Sequence, residues 1–462
     1  MTQNKEILSK ILLAKETRRE LRKTLALNQF ATISVSLNIA GYPKNNKITQ
    51  QFFDILLEDF KIFLIANRIY ISINKKFEIL DKAGNFYCNK IEDKTIDLIQ
   101  LKLKTEEFEQ HHKVGRLIDV DIFDKNGIPV SSNKIKKCLL CEKPATVCMR
   151  EKTHSYKDLR RFSFEKLQLF MNDKQKKEVL QTICEMANKA ILYEVAVTPK
   201  PGLVDFEDSG AHSDMNYFTF LNSSAAISPF WLEFAKLAYN YKGDLTNVLP
   251  EIRKIGIRAE NKMLFATTNT NTHKGLIFIM GLSVFASVYS LHKNNYIFDS
   301  SLFINTLQKI TKDIVENELK SLNKKSISHG EKTFQKFGIK GAGARYQAQT
   351  GFSVIFEKVI PFLNEKLKVN QYQNKEELNE KLKKALLLLI ANVDDSNVLY
   401  RNSAEAENLK IMANLVYQGK KDYVELCLFC KEKNISPGGA ADLLALSLFL
   451  FFIQNKYHKN EL

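Results

Sequence analysis

Several features that would place this chain of 462 residues in a familiar class are missing from it. It has no Gly-x-Ser-x-Gly or His-Glu-x-x-His motif, which argues against the common serine hydrolase and zinc protease designs. The Gly-Lys-Ser/Thr end of a Walker motif is also missing. The longest apolar run, Leu443 to Ile453, is well short of a bilayer span, so we expect a buried helix there and no membrane partner.

Disulfide bonds are not expected either. The chain has seven cysteines, an odd number. The N-terminal stretch from Met1 to Leu27 alternates charged and apolar residues at helical spacing, which predicts an amphipathic helix and not a signal peptide. We therefore expect reduced thiols and a cytoplasmic protein.

The charge is strongly unbalanced, with 68 Lys and Arg against 52 Asp and Glu and a formal net charge of +16. A basic surface attracts nucleic acid, anionic lipid, a nucleotide or an acidic protein. No RNA-binding signature or aromatic-interleaved basic repeat is present, so we do not expect nucleic-acid binding. A non-enzymatic nucleic-acid or scaffold protein remains an alternative that rests on the charge alone.

Periodicity predicts a multidomain protein with a change of fold class near residue 170. Residues 1–168 combine helical and strand-like segments and predict an α/β (α+β) domain. Strands are expected around 31–39, 68–77, 95–104 and 114–123, the last ending at the turn Asn126-Gly127. Residues 175–462 show helical periodicity throughout, with glycine and proline in the joints, and predict a larger all-α domain.

The first candidate site is the segment Gly115-Arg116-Leu-Ile-Asp119-Val-Asp121. Residues two apart on a strand face the same side, so the two carboxylates would repel each other unless they share a cation. Mg²⁺ prefers carboxylate oxygens and commonly shares itself with substrate phosphates. Asp119 and Asp121 are therefore candidate catalytic metal ligands, with Gly115 and Arg116 beside a phosphate.

A cysteine-rich segment follows, with Cys138, Cys141, Cys148 and His154. Three thiolates and one imidazole are a plausible tetrahedral zinc set. Three free thiols in a tight loop are the alternative, and the spacing alone does not decide between them.

These two segments together resemble apo-citrate lyase phosphoribosyl-dephospho-CoA transferase, the holo-acyl-carrier-protein synthase of citrate lyase, over residues 1 to about 165. The resemblance implies a nucleotidyltransferase-like fold. It also implies transfer of a phosphoribosyl-dephospho-CoA unit to a serine of the apo acyl carrier (gamma) subunit, with release of pyrophosphate. The malonate decarboxylase counterpart is the alternative within this resemblance. Nucleotidyltransferases usually carry Gly-Ser before the acidic pair, whereas this chain has Gly115-Arg116.

Four polar segments interrupt the helical half and combine glycines with charged side chains. Helix N-termini and glycine-rich loops with basic residues are typical of phosphate sites, and Asp or His can bind metal or move a proton. The candidates are Lys200, Asp205, His212 and Asp214; His273 and Lys274; Gly341, Gly343 and Arg345; and Asp395, Arg401, Gly438, Gly439 and Asp442. The residues alone indicate a Mg²⁺-dependent enzyme that uses a nucleotide.

The motifs Thr198-Pro-Lys-Pro-Gly, Asn271-Thr-His-Lys-Gly and Ser436-Pro-Gly-Gly, among five in the same order, resemble triphosphoribosyl-dephospho-CoA synthase. The resemblance implies that ATP is joined to 3′-dephospho-CoA and that adenine is expelled. It suggests Asp205, His212 and Asp214 for base or metal roles, with Asp214 as a Mg²⁺ ligand, and Lys200, Lys274 and Arg345 for the phosphates. Another nucleotide-dependent kinase or hydrolase remains the alternative.

Overall fold

The computed structural model describes residues 2–320, 329–367 and 374–458. Contacts within the chain divide it into two units, Met1–Lys176 and Lys177–Leu462. The helix Tyr156–Ala196 runs through the predicted boundary between 168 and 175, so that region is helical and contains no loop. The functional bounds 1–168 and 175–462 stay a prediction.

The first unit is α+β. Its sheet is antiparallel throughout, with the order β2-β3-β1-β4, so β4 lies at an edge. The strands are β1 (Thr32–Leu37), β2 (Ile71–Asp81), β3 (Gly84–Ile91) and β4 (Ile118–Phe123). The helices are α1 (Thr2–Ala26), α2 (Lys47–Ala66), α3 (Leu98–His111), α4 (Ala145–Glu151) and the beginning of α5 (Tyr156–Ala196). The nucleotidyltransferase-like topology stays a prediction.

Strand β4 carries the acidic pair, as the sequence predicts. Val120 and Ile122 are fully buried in the core of this unit, while Asp119 and Asp121 lie on the opposite face. The register sets Asp119 against Ser36 and Asp121 against Ser34 of β1. The alternation of apolar and acidic residues therefore fixes both carboxylates on one side of the sheet.

The strand predicted at 95–104 is wrong, because those residues begin helix α3. Asp97 caps this helix, and its Oδ1 accepts hydrogen bonds from the backbone N–H groups of Ile99 and Gln100 at 2.9 and 3.1 Å. A side-chain cap satisfies backbone donors that a helix otherwise leaves free, and this favours helix over the alternating pattern.

The second unit is helical in its described residues, as predicted. Its helices are the end of α5, α6 (Tyr217–Asn240), α7 (Leu249–Ala266), α8 (Lys274–Lys293), α9 (Ser300–Ile310), α10 (His329–Phe337), α11 (Ala344–Gln349), α12 (Ile360–Lys366), α13 (Lys375–Asn392), α14 (Ser396–Asn402), α15 (Ala406–Tyr417), α16 (Tyr423–Glu432) and α17 (Gly438–Lys456).

Helices α8 and α17 form the centre of this unit. Both are long and apolar enough to cross a membrane by composition, yet 78% and 72% of their apolar windows are buried inside the protein. Helix α17 is buried at every position from Leu443 to Ile453, so the apolar run is the core helix that the sequence predicts. A helix that is apolar on all sides must be surrounded by other elements.

The core of the second unit can be tested at Phe285 of α8, which is fully buried. Replacing Phe285 with Ala should destabilise the unit by about 3–5 kcal/mol, because the transfer energy of the ring is lost and a cavity remains. The single tryptophan of the chain, Trp231, lies in the same core, so its fluorescence during urea unfolding reports on this unit. Phe265→Ala, at a site 82% exposed, is the control and should change stability by less than about 0.5 kcal/mol. Equal effects of both variants would contradict the assigned core.

Candidate active sites

A cavity of about 1020 Å³ lies in the second unit where helices α8 and α17 begin. The structure brings all but one of the candidate residues of the helical half to its wall. They are Lys200, His212, Asp214, His273, Lys274, Gly341, Gly343, Arg345, Asp395, Arg401, Gly438, Gly439 and Asp442. Segments as far apart in sequence as Lys200 and Asp442 therefore contribute to one cavity.

Asp205 is the exception and is not at the wall. Its carboxylate is 3% exposed and accepts hydrogen bonds from the backbone N–H groups of Lys200, Glu207 and Asp208 and from the hydroxyl of Thr198. Both oxygens are thus used to hold the loop that carries Lys200. The carboxylate of Asp205 is thus engaged within its own loop, and its catalytic role stays a prediction.

Lys200 forms a buried ion pair with Glu194. Its Nζ lies 2.8 Å from Glu194 Oε1, and the two side chains are 2% and 5% exposed. The same Nζ also donates to the Glu194 carbonyl oxygen at 3.1 Å. The charges of the pair largely cancel, so Lys200 orders the floor of the cavity more than it adds positive potential.

Two other basic residues at the cavity are also paired with carboxylates. Lys274 contacts Glu260. Arg345 Nε donates to Glu318 Oε2 at 2.9 Å, and Glu318 also contacts Arg253. A phosphate bound by Lys274 or Arg345 must therefore share the positive charge of that side chain with a carboxylate that is already bound to it.

Arg401 differs, because its partners are neutral. It donates to the Ala211 carbonyl oxygen, Asn434 Oδ1 and His212 Nδ1 at 2.9, 3.0 and 3.2 Å. His212 Nε2 lies 2.9 Å from the hydroxyl of Ser436. Burial and the nearby Arg401 lower the pKa of His212, so its ring is neutral at pH 7. Asp214, 60% exposed, lies 3.5 Å from His212 Nδ1.

Two aspartates at the starts of helices have different surroundings. Asp395 is 8% exposed, and it accepts from the N–H groups of Asn397 and Ala440, at the beginnings of α14 and α17. Asp442 has no hydrogen-bond or ion-pair partner among the described residues and packs against Gly275, where a Cβ would stand 2.3 Å from its Oδ2. Burial, and then Glu194 and Asp395, raise the pKa of Asp442 well above its ordinary value.

At the four candidate glycines of the cavity wall, close packing or backbone conformation explains why the residue is glycine. A Cβ at Gly341 would stand 2.4 Å from the Thr333 carbonyl oxygen, and a Cβ at Gly438 would stand 2.8 Å from Asn397. Gly439 packs on Asp395, and Gly343 has a φ of +54°, which side chains rarely adopt. The glycines bring the cavity-lining elements into contact, a function that does not require a phosphate.

His273 precedes helix α8 and is 2% exposed. Its Nδ1 lies 2.6 Å from the hydroxyl of Ser223, and this hydroxyl accepts a hydrogen bond from Thr272 at 2.7 Å. Burial, assisted by Lys200, lowers the pKa of His273 to about 3. The ring is therefore neutral at pH 7.

In the first unit, helix α3 and the loop after β4 supply counter-charges to the acidic pair. Lys136 Nζ lies 2.6 Å from Asp119 and 3.7 Å from Glu109. Lys102 Nζ lies 3.9 Å from Asp121 and donates to the Val120 carbonyl oxygen at 2.7 Å. Burial, and then Asp119, raise the pKa of Asp121. Lys102, Lys136 and Arg22 offset this rise in part.

Glu109 and Lys102 also cover the free edge of β4. Glu109 Oε1 accepts from the Val120 N–H at 2.7 Å, and Lys102 binds the carbonyl oxygen of the same residue. An exposed strand edge would otherwise leave these backbone groups unpaired. Sequence reasoning missed both side chains because their segment was assigned in part to a strand; their shared face on a helix is the signal that would have found them.

Gly115 and Arg116 lie in the short 3₁₀ turn that leads into β4. Gly115 is buried, and a Cβ there would stand 3.0 Å from the Glu109 carbonyl oxygen. Arg116 Nη1 donates to the Cys138 carbonyl oxygen at 3.1 Å. Arg116 therefore links the acidic strand to the cysteine-rich segment.

The cysteine-rich segment brings its four candidate ligands together. One donor atom each from Cys138, Cys141, Cys148 and His154 lies within 4.8 Å of all the others. Cys141 Sγ is 3.4 Å from Cys148 Sγ and 3.3 Å from His154 Nε2. Tetrahedral zinc with bonds of about 2.3 Å to sulfur separates its ligands by about 3.8 Å, so the arrangement fits zinc.

The first unit carries an acidic strand and the second a polar cavity, and both halves of the chain match models of transferase families. The model of the ATP:dephospho-CoA triphosphoribosyl transferase family matches residues 180–461. The model of the apo-citrate lyase phosphoribosyl-dephospho-CoA transferase family matches residues 6–169. The chain belongs to the ATP:dephospho-CoA triphosphoribosyl transferase family. The region that matches the second family lies before the region that matches the first.

Relatives support both halves. Protein CitXG of Leuconostoc mesenteroides subsp. cremoris is 31% identical over 478 residues, covering 96% of this chain and 96% of its own length. The probable 2-(5''-triphosphoribosyl)-3'-dephosphocoenzyme-A synthase of Streptococcus mutans serotype c is 33% identical, covering 61% of this chain and 99% of its own length. The protein of the same name from Streptococcus equi subsp. equi is 34% identical with the same coverage.

The buried neutral His273 predicts a pH dependence of stability. Its pKa is about 3 when folded against an ordinary 6.5, so below pH 6.5 the unfolded chain binds a proton that the folded chain does not. Stability should therefore fall with decreasing pH, by up to about 1.4 kcal/mol per pH unit for this residue.

Urea unfolding followed by Trp231 fluorescence at pH 7.5 and pH 5.0 measures this effect. The loss of stability between the two values should be about 2 kcal/mol smaller in His273→Gln than in the wild type. His458, which lies on the surface at the C-terminal end of the described residues, provides the matched His458→Gln control. If His273→Gln lost as much stability between the two pH values as the wild type, the result would contradict a buried neutral ring.

Proposed function

We propose that the chain builds and attaches the prosthetic group of citrate lyase. The helical unit joins ATP to 3′-dephospho-CoA, giving 2′-(5″-triphosphoribosyl)-3′-dephospho-CoA and adenine. The first unit then transfers the phosphoribosyl-dephospho-CoA part to a serine of the apo acyl carrier (gamma) subunit and releases pyrophosphate. The observation that carries this proposal is that both family models match this one chain, one after the other. Protein CitXG is similar to the chain over nearly the full length of both proteins.

The cavity of the helical unit is large enough for this reaction. Its volume of about 1020 Å³ is at the upper end of the range of about 300–1,000 Å³ that is usual for ligand sites. Two nucleotide substrates must lie side by side for a ribose hydroxyl of one to reach the anomeric carbon of the other. A wide cavity with polar groups on several sides supports such an arrangement.

Arg401 is the strongest candidate for binding the triphosphate. Its partners are neutral, so its charge is not cancelled, and a guanidinium can bind two phosphate oxygens at once. Arg345 and Lys274 would assist while keeping their acidic partners. His212 and Asp214 lie beside Arg401 and would orient it, and Asp214 is sufficiently exposed to reach a Mg²⁺ ion carried by the triphosphate.

Asp442 is the best-placed general base for the attacking hydroxyl. It lines the cavity, has no partner among the described residues, and burial raises its pKa well above the ordinary value, which makes the carboxylate more basic. A base is most effective when its pKa approaches the working pH. We assign this role to Asp442 in preference to Asp205, because the carboxylate of Asp205 is fully used within its loop.

Asp119 and Asp121 would hold Mg²⁺ in the first unit. Both offer oxygen ligands on one face of β4, and the two carboxylates are close enough for Asp119 to raise the pKa of Asp121 after the larger effect of burial. The ion would neutralise the leaving pyrophosphate. Lys136 and Lys102 contact the same carboxylates, and Arg116 lies in the adjoining turn, where it could reach a substrate phosphate.

The Cys138, Cys141, Cys148 and His154 cluster would bind a structural zinc ion. Four protein ligands leave no open position for a substrate, which is typical of structural zinc. Its place in the first unit is beside the acidic strand, because Cys138 accepts a hydrogen bond from Arg116. Reduced thiols at this cluster agree with a cytoplasmic location.

The two activities should separate by mutation. Asp119→Asn with Asp121→Asn should lower carrier loading by at least about 100-fold, because the metal-binding carboxylates are lost, and should leave adenine release unchanged. Asp442→Asn should lower adenine release by about 10²–10⁴-fold and leave loading from preformed triphosphoribosyl-dephospho-CoA intact.

Incubation with ATP, 3′-dephospho-CoA, Mg²⁺ and the apo carrier subunit tests both parts at once. Mass spectrometry reads the carrier mass and chromatography reads free adenine. Release of ADP or phosphate without adenine would favour a kinase or hydrolase instead. Loss of both activities in either variant would show that the two sites do not act separately.

Zinc can be measured directly on the full chain. Elemental analysis of the wild type should find about one zinc per chain, and Cys141→Ser should lower this value sharply. Cys427 is partly buried like Cys141 but lies outside the cluster, so Cys427→Ser is the matched control and should keep its zinc. A wild-type protein that is metal-free and fully active in carrier loading would contradict the zinc site.

A further inference from the structure

Among the described residues that line the cavity, His273 alone has a side-chain polar atom that is fully buried and without a hydrogen-bond partner. Its Nε2 makes no hydrogen bond to any described residue. Six other side chains in the described part of the chain have such an atom, but none of them lines this cavity. An unpaired buried donor or acceptor costs about 1–3 kcal/mol, so a partner that arrives with the substrate would account for it.

The neighbours of His273 determine which ring nitrogen carries the proton. The hydroxyl of Thr272 donates to Ser223, which is fully buried. The Ser223 hydroxyl proton then needs an acceptor, and His273 Nδ1 at 2.6 Å is the one that the structure provides. Because a neutral imidazole has one N–H, its proton is on Nε2. The unpaired atom is therefore a hydrogen-bond donor.

The surroundings of the ring favour a neutral heterocycle over a phosphate as its partner. Phe220 lies edge-on to the ring with centroids 5.0 Å apart, and Met263 Sδ accepts the His273 backbone N–H at 3.2 Å. The phosphate oxygens of the substrate have the charged Arg401 available elsewhere on the cavity wall. A neutral donor beside an aromatic ring and a thioether suits the edge of a purine base.

We propose that His273 donates a hydrogen bond from Nε2 to N7 or N3 of adenine and stabilises the base as it departs. This inference rests on the proposed adenine-releasing reaction and adds a catalytic residue to it. The bond between the ribose anomeric carbon and the base breaks, and its electron pair remains on adenine. The ribose hydroxyl of dephospho-CoA forms the new bond and gives its proton to Asp442. Adenine takes a proton from solvent after release, so His273 is unchanged.

A hydrogen bond that strengthens as negative charge develops lowers the barrier to bond cleavage. The donor need not give up its proton for this effect. His273 retains its proton because the Ser223 hydroxyl already binds the other ring nitrogen and prevents tautomer exchange.

The test combines two variants with three nucleotides. His273→Leu removes the donor and keeps similar bulk, whereas His273→Gln keeps a neutral N–H donor. Single-turnover release of the base is measured with ATP, 7-deaza-ATP and 3-deaza-ATP, each of the analogues lacking one ring nitrogen acceptor. With ATP, His273→Leu should be slower than the wild type by about 10²-fold, and His273→Gln should recover a large part of the rate.

The decisive measurement is the ratio of wild-type to His273→Leu rates. For the analogue that lacks the acceptor nitrogen this ratio should fall to within about twofold of unity, because the hydrogen bond is already absent. For the other analogue it should stay near the ATP value. An equal ratio for all three nucleotides, or an unchanged rate with ATP, would overturn the proposal.

Two controls keep the result interpretable. Urea unfolding followed by Trp231 fluorescence confirms that both variants are folded. A wild-type protein that releases no adenine from ATP and 3′-dephospho-CoA would disprove the proposed function itself, and this result is seen before any variant is compared.

Discussion

The burial of two helices that have no polar face is the constraint on which the helical unit depends. Helices α8 and α17 have no polar face, so other helices must surround them. The polar segments that precede them, ending at His273 and Pro437, are thereby brought to the wall of one cavity. The free N–H groups at these helix ends add a positive dipole there. A requirement of hydrophobic packing thus assembles the polar chemistry.

Features that depend on local pattern were predictable from the sequence. The alternation around Asp119 and Asp121 predicted a strand with both carboxylates on one face, because that periodicity is a property of the strand itself. The apolar run at 443–453 predicted a buried helix for a similar reason. The motifs of the helical half predicted a common site, since glycine, charge and helix starts recur together in them.

Features that depend on distant contacts were not predictable. Ser223 lies 50 residues from His273 in the sequence, yet its hydroxyl stands 2.6 Å from His273 Nδ1. Lys136 is an ordinary lysine in a basic chain until the fold places it on Asp119. Asp205 looked like a catalytic carboxylate, but only the loop geometry shows that its oxygens are engaged. Such roles are set by pairing in three dimensions.

The contact between Gly275 and Asp442 links two positions that are 167 residues apart in sequence, from 275 to 442. A methyl group at 275 would occupy the space of the Asp442 carboxylate, so even alanine there must push that group out of its position. A side chain at 275 therefore has to be accommodated by movement or replacement of the Asp442 side chain. Where a descendant of this protein carries a side chain at 275, the carboxylate at 442 should be displaced or replaced by a smaller residue, and the general-base role proposed for Asp442 should be lost with it.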